Sequence, residues 1–297
     1  MLLLRKYTYM KENWTLIDSA QKLKSAIEDI SSSSLIGLDK EYDSFRYFTE
    51  KLCLIQVSTM SRAYIYDPLG NLEFPLLGDI VKDSATTVIM HACGNDVRLL
   101  KRDYGFEFNN IFDTHKAASL LGSSALSLPS VIGEYLGVEL KKTKKIQRSR
   151  WDIRPLSKEQ LVYAVQDTSC LIDLYRVMMK RLEKEGLTAH AEKAFSKLAS
   201  SLWTKKTFDP EGYLNIKGCE TLNQLELRRL KALHLWRFEK ARQTNMARFM
   251  ILSHRDMIDL SRGGVLSIDA MEETGTIPHR SIKEFGAEII TVLRGLS

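Results

Sequence analysis

Three small groups of side chains could do chemistry in this chain, and each rests on carboxylates. Asp39-Lys40-Glu41 closes an apolar run at residues 35–42 (LIGLDKEY). Alternation along a strand puts Asp39 and Glu41 on one face. Two neighbouring carboxylates repel unless a cation neutralises them, so a divalent metal is the economical explanation; a solvated strand end is the alternative. Spacing alone decides nothing, because 37 acids among 297 residues give roughly 4–5 acid-x-acid triplets by chance. Asp96 stands in His91-Ala92-Cys93-Gly94-Asn95-Asp96, where a strand passes through a glycine into a helix. A first-turn aspartate there usually serves as a cap or dipole partner. Tyr163-Ala164-Val165-Gln166-Asp167 puts a phenol and a carboxylate one turn apart on a helix face, which is also the spacing of an ordinary i, i+4 pair.

If a sheet brings that strand end and those two helices together, Asp39, Glu41, Asp96 and Asp167 offer four hard oxygen ligands with no His or Cys. Such a set suits two Mg²⁺ or Mn²⁺ ions rather than zinc. A pair of ions ~3.5–4 Å apart activates water and stabilises the leaving oxygen in phosphodiester hydrolysis. Tyr163 would hold or help deprotonate that water. The charge distribution fits a polyanionic substrate. The chain carries 43 Lys and Arg against 37 Asp and Glu, net +6. Segment 141–154 holds seven bases and only Asp152 among acids, so its excess equals that of the whole chain. Lys141, Lys142, Lys144, Lys145, Arg148, Arg150 and Trp151 form a candidate nucleic-acid-binding segment, since clustered positive charge beside an aromatic favours a phosphate backbone with stackable bases. A solvated basic loop is the alternative.

The elements that must position these groups follow from periodicity. Strands are expected at 35–42, 52–58, 63–66, 87–91 and 111–113, with the first three antiparallel because the gaps between them are too short for a parallel crossover. Helices are expected at 74–81, 95–104, 115–121 and 126–136. One long helix is expected at 157–185, opened by a Ser157/Gln160 capping box. Asp113 reads as a helix cap and His91 as a packed strand-end histidine. This is an α/β fold: a mixed sheet flanked by helices, followed by an all-α bundle in which Leu222, Leu225, Leu230, Leu233 and Trp236 line one helix. Domain limits are expected at 1–185 and 218–297, with 186–217 as a linker. Apolar residues make up 44% and charged residues 27% of the chain, enough to bury a core and unlike a disordered chain. No apolar stretch approaches the ~20 residues of a membrane span, and no 7–15-residue apolar segment follows the first residues as a secretory signal requires. The four cysteines lack any C-x-x-C spacing. An intracellular, cytoplasmic protein without membrane partners is therefore expected.

The ordered set Asp39-x-Glu41, His91-Ala-x-x-x-Asp96 with Leu99-Leu100, and Tyr163-Ala-x-x-Asp167 resembles the three exonuclease motifs of the DEDD superfamily, tyrosine subclass. Several longer stretches extend the resemblance to ribonuclease D and its eukaryotic exosome-associated relatives. They are Leu54-Ile55-Gln56, Asp67-Pro68-Leu69, Gly94-Asn95-Asp96, Phe112-Asp113-Thr114 and Trp151-x-x-Arg154-Pro155-Leu156 with Gln160. It covers roughly residues 13–185. Leu235-Trp236-Arg237, Ile251-Leu252-Ser253 and Asp256-Met257-Ile258 are similar to an HRDC domain, of which the chain has length for one where bacterial ribonuclease D often has two. The resemblance implies a ribonuclease H-like fold and 3′→5′ hydrolytic removal of nucleoside 5′-monophosphates from single-stranded RNA 3′ ends, with transfer-RNA precursors as a typical substrate. It implies that Asp39 bridges both metals, that Glu41 and Asp167 hold the nucleophile-side ion and Asp96 the leaving-group side, and that Tyr163 positions water. The HRDC-like bundle would add nucleic-acid contacts or only pack, and an RNA-degradation complex is a compatible partner.

Two departures stand out. Relatives commonly have Thr where this chain has Lys40; alternation directs Lys40 to the face opposite Asp39 and Glu41. The segment KKTKKIQRSR is more basic than its counterparts and predicts tighter, more salt-sensitive RNA binding. A DNA exonuclease and a non-catalytic RNA-binding scaffold that keeps the fold remain alternative readings.

Overall fold

The computed structural model describes residues 13–74, 76–140, 143–205, 207–263, 267–275 and 277–295. The chain divides into two units, Met1–Tyr42 with Leu52–Thr204 and Asp43–Lys51 with Lys205–Ser297. The second unit thus takes in a short stretch that interrupts the first.

The first unit is built on strands β1 (Trp14–Ile17), β2 (Leu35–Asp43), β3 (Lys51–Ser58), β4 (Ala63–Tyr66), β5 (Thr87–Met90) and β6 (Ile111–Asp113). They form one sheet in the order β1-β4-β3-β2-β5-β6. β3 and β4 are antiparallel, whereas the β1–β4, β2–β5 and β5–β6 pairs are parallel, giving the mixed sheet expected. The helices are α1 (Ala20–Ser31), α2 (Leu76–Lys82), α3 (Gly94–Tyr104), α4 (Thr114–Leu120), α5 (Leu128–Leu136), α6 (Lys144–Gln147), α7 (Lys158–Thr168), α8 (Leu171–Lys184) and α9 (Thr188–Ala199).

Strand alternation divides the core. Ile36, Leu38, Val88 and Met90 pack with Ala26 and Ile30 of α1, Leu77 of α2, and Val97 and Leu100 of α3. Ile89 and Phe112 pack instead with Ala117 of α4, Val131 of α5, and Leu171 and Leu174 of α8. A third cluster seats α7 on the antiparallel pair: Tyr163, Ala164 and Val165, with Trp151, pack on Cys53, Leu54, Ala63 and Ile65. Each fully buried aliphatic contributes about 1.5–3 kcal/mol, so the helix that carries Tyr163 and Asp167 is held by burial.

Several elements differ from the sequence reading. The sequence reading leaves out β1 and α1, although α1 follows a Ser19 cap and spaces Leu23, Ala26, Ile27 and Ile30 on one face; β1 owes its conformation to pairing with β4. Asp29 of α1 ties down the β3–β4 turn by accepting from Thr59 Oγ1 at 2.9 Å and Tyr64 OH at 2.8 Å. The single helix expected at 157–185 is two, α7 and α8, broken at Ser169-Cys170. Beside the break the Thr168 carbonyl accepts from Ser58 Oγ at 3.0 Å. The stretch 186–217 contains α9, whose Ala191 and Phe195 are buried.

The second unit is helical: α10 (Gln224–Thr244), α11 (Arg248–Ile251), α12 (His254–Arg262), α13 (Ile268–Thr274) and α14 (His279–Arg294). Its core joins Leu230, Leu233, Ile251, Met257, Leu260 and Ile289. Leu225, read as part of the packed stripe, is 39% exposed. Ser253 with Asp256 and Asn223 with Glu226 form the capping boxes that start α12 and α10. The stretch between β2 and β3 belongs here: Ala247 N donates to Arg46 O at 2.9 Å, and the Phe45 and Phe249 rings stand 4.8 Å apart. No helix among the described residues is long and apolar enough to cross a membrane.

Candidate active site

Parallel pairing of β2 with β5 brings the carboxyl ends of both strands to the same edge of the sheet, the edge where open α/β sheets generally bind ligands. Asp39 and Glu41 occupy the end of β2, and Asp96 lies in the first turn of α3, directly after β5. α7 delivers Tyr163 and Asp167 to that edge. The result is a pocket of about 190 Å³ lined by Asp39, Lys40, Glu41, His91, Leu128, Gln147, Tyr163, Asp167 and Leu171. Four of the five residues singled out as catalytic therefore share one cavity. Asp167 and Tyr163 are buried, at 5% and 6% exposure.

Gly37 permits the convergence. A Cβ there would collide with Ser58 Oγ and stand 3.1 Å from the Thr168 carbonyl and 3.3 Å from Leu171 Cβ. The strand bearing Asp39 and the α7–α8 break next to Asp167 approach more closely than any side chain allows. An interior strand glycine was the available sequence signal.

Lys40 follows the alternation: its ammonium lies against the Tyr42 ring, on the face of β2 that Ile36 and Leu38 share with α3. It lines the same pocket as Asp39 and Glu41, and its Nζ lies 2.8 Å from Asp96 Oδ1 with both side chains largely buried (15% and 11% exposed). The β2–β5 register runs from Leu35↔Thr87 to Gly37↔Ile89. Lys40 lies beyond it, on the side of the sheet that carries α3 and Asp96. Burial alone would favour the neutral amine. The Asp96 charge and hydrogen bond, with the charges of Asp39 and Glu41, outweigh it and raise the Lys40 pKa. Asp96 serves neither as a cap nor as part of the pocket lining: α3 is N-capped by Cys93 without a side-chain bond.

Burial, then the charges of Glu41 and Asp39, push the Tyr163 phenol well above its ordinary value. It is a protonated donor at neutral pH, suited to holding a water rather than deprotonating one. His91 lines the pocket while its Nδ1 stands 2.8 Å from Thr114 Oγ1. Asp113 caps α4 through Lys116 N at 2.8 Å and also accepts from Cys93 N at 2.7 Å, fixing the turn that leads to Asp96. In that turn Ala92 sits at φ +54°, a conformation that favours glycine.

The basic segment divides. Lys141 and Lys142 lie outside the described residues. Lys144, Lys145 and Arg148 are exposed on and just after α6, whose Gln147 lines the pocket. Arg150 is exposed but holds Asp152 in two bonds of 2.7 Å. Trp151 is 2% exposed, its Nε1 donating to Gln147 O, and its ring packs 5.9 Å from that of Tyr163. It offers no face to a base and instead backs Tyr163. Arg154, two motif residues removed from any assigned role in the sequence, forms a two-pronged pair with Asp67 and donates to Cys53 O at 2.7 Å. This anchor ties the segment to β3 and β4.

A family model described as 3′-5′ exonuclease matches residues 14–183. The chain belongs to that 3′-5′ exonuclease family. An HRDC domain model matches residues 226–293, within the helical unit. The exosome complex component 10 homolog of Drosophila melanogaster is 29% identical over 253 residues, which cover 83% of this chain and 28% of that protein. The chain thus spans well under two thirds of that curated relative. RNase D of Escherichia coli, described as an exoribonuclease involved in structured RNA processing, superposes with a TM-score of 0.68 at 25% identity, covering 96% of this chain and 75% of its own. The catalytic core of RRP6 from Trypanosoma brucei superposes at 0.83 and 21% identity, covering 95% and 79%.

For a divalent cation, the pocket supplies hard carboxylate oxygens from Asp39, Glu41 and Asp167, the donor chemistry Mg²⁺ or Mn²⁺ takes. As placed, no three His, Cys, Asp or Glu side chains among the described residues converge to ligand distance. The donor chemistry of Asp39, Glu41 and Asp167 suits such an ion, while Asp96 pairs with Lys40.

Proposed function

We propose that the chain is a metal-dependent 3′→5′ exoribonuclease that shortens single-stranded RNA 3′ ends and releases nucleoside 5′-monophosphates. The observation that carries this reading is the single pocket uniting Asp39, Glu41, Tyr163 and Asp167 beside the exposed bases of α6. Asp39, Glu41 and Asp167 would hold Mg²⁺ or Mn²⁺, which when bound lowers the pKa of water and neutralises charge on the scissile phosphate. The Tyr163 hydroxyl donates to and orients the attacking water. Lys144, Lys145 and Arg148 contact the RNA backbone, and Leu128 and Leu171 wall the pocket. Asp96, which the resemblance assigns to the second ion, pairs with Lys40. Structured RNAs such as transfer-RNA precursors, and work within an RNA-degradation complex, accord with the relatives' descriptions. The four free cysteines accord with an intracellular, cytoplasmic setting.

A time course on 5′-labelled single-stranded RNA with Mn²⁺ tests the reading. The expected result is a one-nucleotide ladder shrinking from the 3′ end, abolished by Asp39→Asn and by Asp167→Asn. A matched DNA oligomer degraded equally fast would move the assignment to a DNA exonuclease. A scaffold that binds RNA without cutting is the second reading, and the Lys40–Asp96 pair is the observation in its favour.

A further inference from the structure

We propose that Phe45 and Phe249 of the helical unit form a stacking platform for an unpaired base of the RNA strand, with Arg248 beside them to take a backbone phosphate. The inference rests on the RNA reading above and names a second binding site for the same strand, outside the residues that line the carboxylate pocket. The centroids of the two rings stand 4.8 Å apart, tilted at 45°, yet Phe45 is 65% and Phe249 47% exposed. Neighbouring Phe48 turns inward instead, 5.3 Å from Phe238 and against the core of the unit. Two aromatic faces therefore meet water side by side, the kind of exposed apolar patch that marks an interaction site. The rings are firmly held. Ala247 N donates to Arg46 O at 2.9 Å, Phe48 N to Asn245 O at 3.2 Å and Thr49 N to Asn245 Oδ1 at 2.8 Å. These bonds clamp the stretch that carries Phe45 along the residues just before Phe249, so a base meets a preformed surface without the cost of ordering it. Phe45 follows Glu41 by four residues, so one continuous stretch carries a catalytic candidate and half of the platform.

The charge around the rings selects the occupant. Arg248 is exposed and directly precedes Phe249. Its charge acts on Arg237, which is 3% exposed, donates to Leu252 O at 3.0 Å and leaves its Nε without a hydrogen-bond partner among the described residues. Burial and then the Arg248 charge lower the Arg237 pKa to about 10, so that guanidinium stays charged at neutral pH. Burial, then the charges of Arg237 and Arg248, also lower the pKa of exposed His254. The acids of the same stretches are engaged: Asp43 by Arg46 at 2.9 Å, and the Asp209 carboxylate by Glu211 N at 3.0 Å. An apolar protein segment laid on the rings would cover uncompensated positive charge. A nucleotide satisfies both features, since every base has a face to stack on an aromatic ring and its phosphate pairs with a guanidinium. Stacking reads no base edge, so the platform should accept any base.

The test is the affinity of the full chain for a 5′-labelled single-stranded uridine oligomer, read by fluorescence anisotropy in EDTA so that no cutting intervenes. Phe45→Ala combined with Phe249→Ala should weaken the Kd by about tenfold, with about threefold as the dividing line. Arg248→Gln should lower the slope of log affinity against log salt concentration by about 0.7. A change below that line in the double variant, or an unchanged slope for Arg248→Gln, would overturn the proposal. On an abasic oligomer of the same length the double variant and the natural chain should bind alike. A loss there as large as on uridine would mean that the rings do not stack on a base, and would overturn it too. Should the alanine variant not fold, Phe45→Leu with Phe249→Leu keeps the apolar bulk without a ring and is read against the same line. Self-association of the natural chain that disappears in the double variant, with RNA affinity intact, would assign the rings to a second copy and sink the proposal. A platform that fails while the natural chain still binds and shortens RNA removes only this inference. No RNA bound by the natural chain would remove the RNA reading with it.

Discussion

Tyr163 and Gln56 illustrate how far a single side chain can be argued from its surroundings. Tyr163 is backed by Trp151 and faces Asp39 and Glu41 across a small pocket; with its phenol kept protonated, its contribution is one donated hydrogen bond. Tyr163→Phe should slow RNA shortening by roughly 10–100-fold, or about 1.4–2.7 kcal/mol of transition-state stabilisation, while RNA affinity holds. Single-turnover rates beside a binding isotherm check this; an unchanged rate would remove the tyrosine from the reaction. Gln56 is 1% exposed on β3, and neither its Oε1 nor its Nε2 has a hydrogen-bond partner among the described residues. Burial of an unsatisfied amide costs about 1–3 kcal/mol. Gln56→Met, close in shape, should therefore raise unfolding free energy by about 1 kcal/mol in urea denaturation; a loss of stability would mean the amide is satisfied by ordered water.

At the level of elements, the site depends on one crossing of backbones. β2 and the α7–α8 break meet at Gly37, with Ser58 Oγ bridging to the Thr168 carbonyl. Gly37→Ala should cost about 1–3 kcal/mol through overpacking and lower activity by moving Asp167 from Asp39. Ser58→Ala in the same chain, which removes the nearest clashing atom, should recover part of the stability in a double-mutant cycle. Full additivity of the two changes would refute the contact. The same crossing explains what the sequence made legible. Strands and caps follow from local pattern, because period and spacing are local properties, whereas Asp39, Glu41, Tyr163 and Asp167 were singled out as a set only by the order of motifs along the chain. The α7–α8 break does not follow from local pattern; it lies where the Thr168 carbonyl accepts a hydrogen bond donated across 110 residues of sequence. The face of Lys40 follows from alternation, but its partner Asp96 becomes apparent only once β2 pairs with β5. Asp67 and Arg154 were visible as motif residues, but their pairing needs the sheet.

At the scale of the molecule, the charge that appears even in composition is unevenly usable. The whole net excess of +6 falls within segment 141–154, yet the structure sorts those bases by what already engages them. Arg154 is spent on Asp67, and Arg150 on Asp152. Lys144, Lys145 and Arg148 are left exposed beside Gln147, which lines the pocket with Asp39 and Asp167. Each phosphate contact to a single strand should contribute about 0.7 to the slope of log affinity against log salt concentration. Replacing all three with Gln should therefore lower that slope by about 2 and weaken RNA binding most at low salt, whereas Arg150→Gln should leave the slope unchanged. Trp151→Phe supplies the complementary measurement. An exposed aromatic that stacked on a base would forfeit about 1–3 kcal/mol on removal, but this buried ring should change the RNA Kd by less than about twofold while slowing cleavage through Tyr163. An unaltered slope in the triple variant would place the RNA path elsewhere. A large affinity loss for Trp151→Phe would mean that the ring turns outward when RNA binds.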